Sequence, residues 1–331
     1  MTPAPLAVSM GDPAGIGPEI VAAAWAAREA EALPAFFAIG DRRAIAAVWN
    51  GPIISLAAPA DAAAAFPHGL PLVQVDDPGE ITPGNPSLAG ARCALDSLEI
   101  AVGLARNGFA GGIVTGPVSK AQFYAIGFNY PGQTEFVAER CGISASNAVM
   151  MLAGPTLRTV PITVHAPLSD VPRMLTLELI LAKARITARA LTRDFGIDHP
   201  RLAFAGLNPH AGESGTLGRE EVDIIRPAVE VLLAEDIIVH GPLAADSMFH
   251  AEARRHYDAA MCMYHDQALI PLKTLHFDDG VNVTLGLPIV RTSPDHGTAF
   301  GIAGKGLANP RAMIEAIRMA GQCAARRLAS G

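Results

Sequence analysis

"YDAAMCMYHDQALIPLK", residues 257–273, is the stretch on which the fold turns. Its first half is an apolar run of the kind a buried strand carries. His265, Asp266 and Gln267 then arrive together, and Lys273 follows eight residues after the histidine. Open α/β sheets bind their ligands just beyond the carboxyl ends of their strands. An imidazole, a carboxylate and an amine in this position therefore predict a strand followed by a site.

Two other histidines share that context. His165 ends "RTVPITVH", and His210 follows "RLAFAGLNP". Three neutral imidazoles form a standard divalent-metal set, and an open coordination position would allow catalysis. The spacings, 45 and then 55 residues, carry no motif. The alternative is three unrelated histidines on the surface or capping helices, among ten in the chain. Their matched strand-end context raises the metal set to an even footing with that alternative. Asp266, beside His265, and Asp246, in "GPLAADSMF", would complete a shell or orient an imidazole. Asp246 reads equally well as an N-cap.

Strand-like and helix-like segments alternate along the chain. "LAVSM", "AFFAIG", "GGIVT", "RLAFA" and "YDAAMCM" read as strands, and "AVMMLAG" with "LRTVPITVH" as an antiparallel pair. Helices are expected from Pro18 to about Ala30, over "LAGARCALDSLEIAVGLARNG" with Gly108 as its C-cap, and over "LTLELILAKARITARALTRDFG". Two more are expected over "EEVDIIRPAVEVLLAED" and "NPRAMIEAIRMAGQCAARRLA". This predicts α/β architecture with a largely parallel sheet and some antiparallel strands. With no evident linker, a second domain requires the chain to cross over and return.

Composition narrows the function. Half of the 331 residues are hydrophobic and 17% are charged, enough apolar material for a sizeable core. A net charge of −7 argues against a general nucleic-acid binder. No apolar run approaches membrane-span length, and "MTPAPLAVSM" lacks a signal-like pattern, so a cytoplasmic protein is expected. Cys93, Cys141, Cys262 and Cys323 form no CxxC pair and fit reduced thiols.

The glycine-rich pieces are not nucleotide loops. "GDPAGIGPE" lacks GxGxxG spacing, and in "GIAGKG" a glycine follows Lys305 where a P-loop needs Ser or Thr. Tight turns explain them better. In "TGPVSK", Lys120 opens a helix against the helix dipole, which favours a functional role. "PGQTEF" puts Gln133, Thr134 and Glu135 at a helix start, with Thr134 as an N-cap or anion ligand. Lys273, Asn282 and Arg291 recur near the ends of "ALIPLK", "GVN" and "LPIVR". A lysine, an amide and an arginine suit a phosphate or carboxylate.

In combination, "MGDPAGIGPEI", "TGPVSK", "PGQTEF", "GLNPHAGE", "GPLAAD", "YDAAMCMYHDQALIPLK", "GVNVTLGLPIVRTSPDHGTA" and "AGKG" resemble the 4-hydroxythreonine-4-phosphate dehydrogenase family over essentially the whole chain. The resemblance implies an isocitrate/isopropylmalate dehydrogenase-like fold. Its two α/β/α subdomains have a mixed sheet and an active site in the cleft between them. Residues 1–125 with 285–331 would form one subdomain, and 126–284 would form the other, carrying most ligands. A homodimer with its active site at the subunit interface is also implied. The family's metal ligands fall on His165, His210 and His265, and its substrate contacts on Gln133, Thr134, Lys273, Asn282 and Arg291. Lys273 and Asp246 are the candidate catalytic groups.

The implied reaction is oxidation of 4-phosphooxy-L-threonine at C3 by NAD or NADP, aided by one divalent ion: Zn, Co, Mn or Mg. Decarboxylation then gives 3-amino-2-oxopropyl phosphate, for pyridoxal 5′-phosphate synthesis. Three positions depart from the family pattern: Gln133 replaces a histidine, "GPVSK" replaces GPVNK, and Gly301 stands where an aspartate is usual. A glutamine keeps an N–H donor, so Gln133 is expected to touch the phosphate. Two alternatives remain: a related dehydrogenase of 4-phospho-threonate, -erythronate or another diol acid, and a non-catalytic phosphate- or metal-binding homologue.

Overall fold

The computed structural model describes residues 3–75 and 79–330; Met1, Thr2, Asp76, Asp77, Pro78 and Gly331 lie outside the described residues. The chain forms two compact units, Met1–Ala145 with Leu287–Gly331, and Ser146–Gly286. It leaves the first unit once and returns. The first border follows the helix Gln133–Arg140, where the sequence placed it before that helix. Phe136 of this helix packs against Phe128 and Tyr130, with ring centres 5.5 and 5.4 Å away, and Arg140 reaches Glu99 at 2.7 Å. These contacts hold the helix to the first unit.

The first unit begins with β1 (Leu6–Ser9), β2 (Phe36–Gly40), β3 (Ile53–Ser55), β4 (Leu70–Gln74) and β5 (Ile113–Thr115). The second contains β6 (Val149–Ala153), β7 (Arg158–Pro161), β8 (Arg201–Ala205), β9 (Ile238–Leu243), β10 (Ala259–Cys262) and β11 (Val281–Leu285). The chain returns to the first unit as β12 (Arg291–Pro294). In the first unit the strands run β3-β4-β2-β1-β5-β12, every neighbouring pair parallel. In the second they run β11-β6-β7-β10-β8-β9. There β6 is antiparallel to β11 and β7, and the remaining pairs are parallel. This is the mixed α/β sheet expected from the alternation.

The long helices begin and stop where side-chain chemistry dictates. Ser87 Oγ accepts from the Gly90 N–H at 3.0 Å to start Leu88–Arg106, and Gly108, at φ 77°, follows its end. Thr176 caps Leu177–Phe195, and left-handed Gly196 terminates it. The first helix is shorter than expected, Gly17–Ala26. Beyond it the chain turns: Ala32 sits at φ 49°, and the Leu33 N–H donates to the Arg28 carbonyl at 2.8 Å. The glycine-rich segments are turns packed on each other. A Cβ on Gly11, whose φ is 74°, would stand 2.2 Å from the Pro117 carbonyl oxygen. The next N–H, of Asp12, donates to that oxygen at 3.0 Å. None of the four cysteines is in a disulfide.

One core cluster of the second unit joins its strands to the helix His265–Leu275. Ala268 and Leu272, one turn apart, bury against Leu152, Ala203, Ala205, Ala260 and Cys262. The entry to β10 is fixed by Asp258, whose carboxylate accepts from the Arg201 N–H, Nε and Nη2 at 2.8, 3.1 and 3.1 Å. The Asp258 N–H donates back to the Arg201 carbonyl at 2.8 Å. This pair starts the parallel register in which Ala259 faces Leu202.

Burial alone would raise the Asp258 carboxyl, but hydrogen bonds and charge from Arg201 hold it below the usual range. A carboxyl depressed on folding adds stability above its unfolded pKa of about 3.9, and that stability is lost as pH falls through the folded value. Asp258→Asn should therefore reduce stability at pH 7 by about 1–3 kcal/mol in chemical denaturation. Its deficit should shrink below about pH 4. A deficit that stays constant from neutral pH to pH 2 would contradict this assignment.

Candidate active site

The three histidines expected at strand ends leave three adjacent parallel strands. β7, β10 and β8 are neighbours in that order, and His165, His265 and His210 follow their carboxyl ends by a few residues. Each lies two residues beyond a position tied down by hydrogen bonds. Before His165, the Thr163 N–H and hydroxyl both donate to the Met263 carbonyl, at 3.2 and 2.8 Å. Before His265, the Met263 N–H donates to Gln267 Oε1 at 2.6 Å. Gln267 Nε2 donates to the Gly206 carbonyl at 2.7 Å, which clamps the exit of β8 to that of β10. Before His210, the Asn208 N–H donates to Glu221 Oε1 at 2.7 Å.

Two of the histidines sit on strained backbone. His165 has φ 50°. His210 opens a left-handed turn in which Ala211, Gly212, Glu213 and Ser214 also have positive φ, from 42° to 76°. The left-handed conformation costs L-residues on the order of 1–2 kcal/mol each, and such strain gathers at functional sites. His265 is the first residue of its helix, with Nδ1 2.7 Å from Asp266 Oδ1. That contact orients the ring and leaves Nε2 as the outward nitrogen.

The rings of His165 and His265 have centres 5.9 Å apart and line a cavity of about 280 Å³. Two imidazoles bound to one cation through bonds of about 2.1 Å place their centres roughly 5 Å apart, so this pair fits a shared ion after a small adjustment. His210 lines a second cavity, of about 360 Å³, with Asp246, Asn208 and Gln267. Tyr264 lines both. Among the described residues, no three His, Cys, Asp or Glu side chains come close enough together to hold a metal ion. The chain thus offers two imidazoles together and the third beside a carboxylate. Asp246 is exposed, within a short 3-10 turn, and does not cap a helix. Lys273 lies in the last turn of the helix that His265 begins. Asn282 is in β11, and its Oδ1 is buried with no hydrogen-bond partner among the described residues.

The first unit holds a separate polar cluster. Arg291, 3% exposed at the start of β12, donates from Nη2 to Thr115 Oγ at 2.8 Å and from Nη1 to Thr134 Oγ at 3.2 Å. Burial lowers its pKa to about 10 while the Glu135 charge opposes the shift, so it stays cationic at neutral pH. Gly132, not Thr134, is the N-cap of the helix Gln133–Arg140, and Thr134 occupies the second helical position. A fixed guanidinium beside a helix N-terminus suits an anionic oxygen. Gln133 faces differently from its expected donor role. Its Nε2 donates to the Gly116 carbonyl at 3.2 Å, and its Oε1 is buried with no hydrogen-bond partner among the described residues. The carboxamide therefore presents an acceptor. Lys120 opens the helix Lys120–Ala125, which Ser119 caps. At Gly301 a Cβ would meet nothing within 4 Å, so the aspartate usual in the family would fit.

Tyr264, Glu221, Asn208, Thr115 and the clamping role of Gln267 were not singled out from sequence. Glu221 reads there as an ordinary first-turn acid of an exposed helix. In the structure it is fully buried at the start of a π-helical turn, Glu221–Ile225.

Comparison with known proteins agrees with this architecture. The family profile described as pyridoxal phosphate biosynthetic protein PdxA matches residues 32–320. The 4-hydroxythreonine-4-phosphate dehydrogenase of Zymomonas mobilis is 55% identical over 98% of this chain and 97% of its own. The enzyme of that name from Erythrobacter litoralis is 54% identical over 98% and 97%. The 4-hydroxythreonine-4-phosphate dehydrogenase structure from Klebsiella pneumoniae superposes with a TM-score of 0.87 at 34% identity, covering 97% of this chain and 98% of that one. The chain belongs to the PdxA family of pyridoxal phosphate biosynthetic proteins.

Proposed function

We propose that this protein oxidises 4-phosphooxy-L-threonine at C3 and that the product decarboxylates to 3-amino-2-oxopropyl phosphate, toward pyridoxal 5′-phosphate. The observation that carries the chemistry is three histidines leaving the carboxyl ends of adjacent parallel strands, in a chain so similar to enzymes named for this dehydrogenase. His165, His210 and His265 would hold one divalent cation, and imidazole donors suit Zn, Co or Mn better than Mg. That cation and a nicotinamide (NAD or NADP) would supply Lewis acidity at oxygen, hydride acceptance and carbonyl polarisation.

The chain's own residues bind and orient the substrate. Arg291 and Thr134 take the phosphate or carboxylate oxygens. The orphaned oxygens of Gln133 and Asn282 accept from a hydroxyl or ammonium. Lys273 transfers the proton of the C3 hydroxyl or clamps the charge that develops there, and Asp246 acts beside His210. We infer that a second copy of the chain completes the metal set, which supports a homodimer with its active site at the interface. Among the described residues no helix is long and apolar enough to cross a membrane, in keeping with a cytoplasmic enzyme.

Chelation should abolish NADH formation from 4-phosphooxy-L-threonine while far-UV circular dichroism stays native, and added Co or Zn should restore turnover. Full turnover by metal-stripped enzyme would overturn the proposal. A substrate panel that includes 4-phospho-threonate separates the amino acid from the hydroxy-acid alternative.

Lys273→Ala should lower kcat by roughly 10²-fold or more, as for a group that transfers a proton in the transition state. An effect below about twofold would make Lys273 an ordinary surface cation, since exposed charges contribute little.

Gln133→Ala should cost roughly 5- to 150-fold in kcat/KM, the equivalent of about 1–3 kcal/mol for one lost hydrogen bond. Because the free group is an acceptor, the loss should be alike for phosphorylated and dephosphorylated substrate, and losing the donor to the Gly116 carbonyl should also lower the melting temperature. A loss confined to the phosphorylated substrate would place Gln133 on the phosphate instead.

A further inference from the structure

The left-handed turn that carries His210 needs something to hold it, and its surroundings identify the holder. We propose that Glu221 is the positioning residue for His210; this rests on His210 being a metal ligand. Glu221 is fully buried, and its carboxylate reaches the turn through one residue. Oε1 accepts from the Asn208 N–H at 2.7 Å, and Oε2 accepts from Asn208 Nδ2 at 3.0 Å. Asn208 lies two residues before His210, and its Nδ2 also donates to Glu220 Oε2 at 2.7 Å.

Glycine backbone walls the carboxylate on both sides. A Cβ at Gly206, at the exit of β8, would stand 3.0 Å from Oε1. A Cβ at Gly212, inside the left-handed turn, would stand 2.5 Å from Oε2. The carboxylate therefore occupies the space that side chains would fill on both the strand exit and the turn. Four non-glycine residues of that turn, His210, Ala211, Glu213 and Ser214, hold positive φ. Such backbone persists only when its neighbours over-determine it. Two acceptors aimed at both donors of Asn208 do so immediately ahead of the histidine. The backbone from which the imidazole springs is thereby held from behind.

The test uses the full chain and Co(II) alone. Glu221→Gln keeps the shape but must turn an NH2 toward one of the two Asn208 donors. We expect Co(II) affinity to fall about 10- to 100-fold and the visible absorption of bound Co(II) to shift. Asn208→Ala removes only the side-chain arm and should move both readouts the same way by less. It decides the matter if Glu221→Gln does not fold. A purely structural role would lower the melting temperature of the metal-free chain yet leave affinity and spectrum as in the parent. Parent-like affinity and spectrum in the folded variants would overturn the proposal. If parent and His210→Ala bind Co(II) equally poorly, the metal role of His210 falls, and this proposal falls with it. That pattern differs from a parent that binds tightly with variants that match it.

Discussion

The buried carboxamide of Gln267 fixes the spacing on which the candidate metal site depends. It is 8% exposed, and it spends its acceptor on the Met263 N–H and a donor on the Gly206 carbonyl. A primary amide carries both functions on one short arm, whatever the pH. With Thr163 bonded to the other side of Met263, the exits of β7, β10 and β8 are joined. Leaving either partner unsatisfied in the interior would cost about 1–3 kcal/mol. The helix that carries Gln267 is in turn anchored by Ala268 and Leu272, so core packing and ligand spacing share one element.

Two places hold arrangements that cost stability. The second unit holds His165 and His210 at positive φ, and it keeps the Glu221 carboxylate fully buried. The first unit keeps a guanidinium almost wholly out of water, with Thr115 and Thr134 as neutral partners. The role proposed for it, holding a phosphate or carboxylate oxygen, is one a buried guanidinium suits.

Much of this was legible in the sequence, because strongly patterned segments announce themselves. The apolar runs before His165, His210 and His265 became β7, β8 and β10, and the antiparallel pair became β6 and β7. Short strands were not legible: "IIS", "LPLVQ" and "IVHGPL" are too brief or too interrupted by proline and polar residues for periodicity to register. The residues that hold the site were hidden for a different reason. Glu221 and Gln267 look like ordinary helix polar groups until the fold buries them. The left-handed turn at His210 has only two glycines, Gly212 and Gly215, to announce it. The direction of the Gln133 amide was invisible as well, because it is decided by the Gly116 carbonyl across the unit's interior.

The account stands or falls on whether three imidazoles from these strand ends bind one cation. Anomalous diffraction at the cobalt edge, from crystals of the chain loaded with Co(II), addresses this directly. The expected result is a single cobalt per site, bonded to imidazole nitrogens of His165, His210 and His265, each supplied by one chain or by a second copy. Cobalt bound without His210, or bound away from all three histidines, would contradict it.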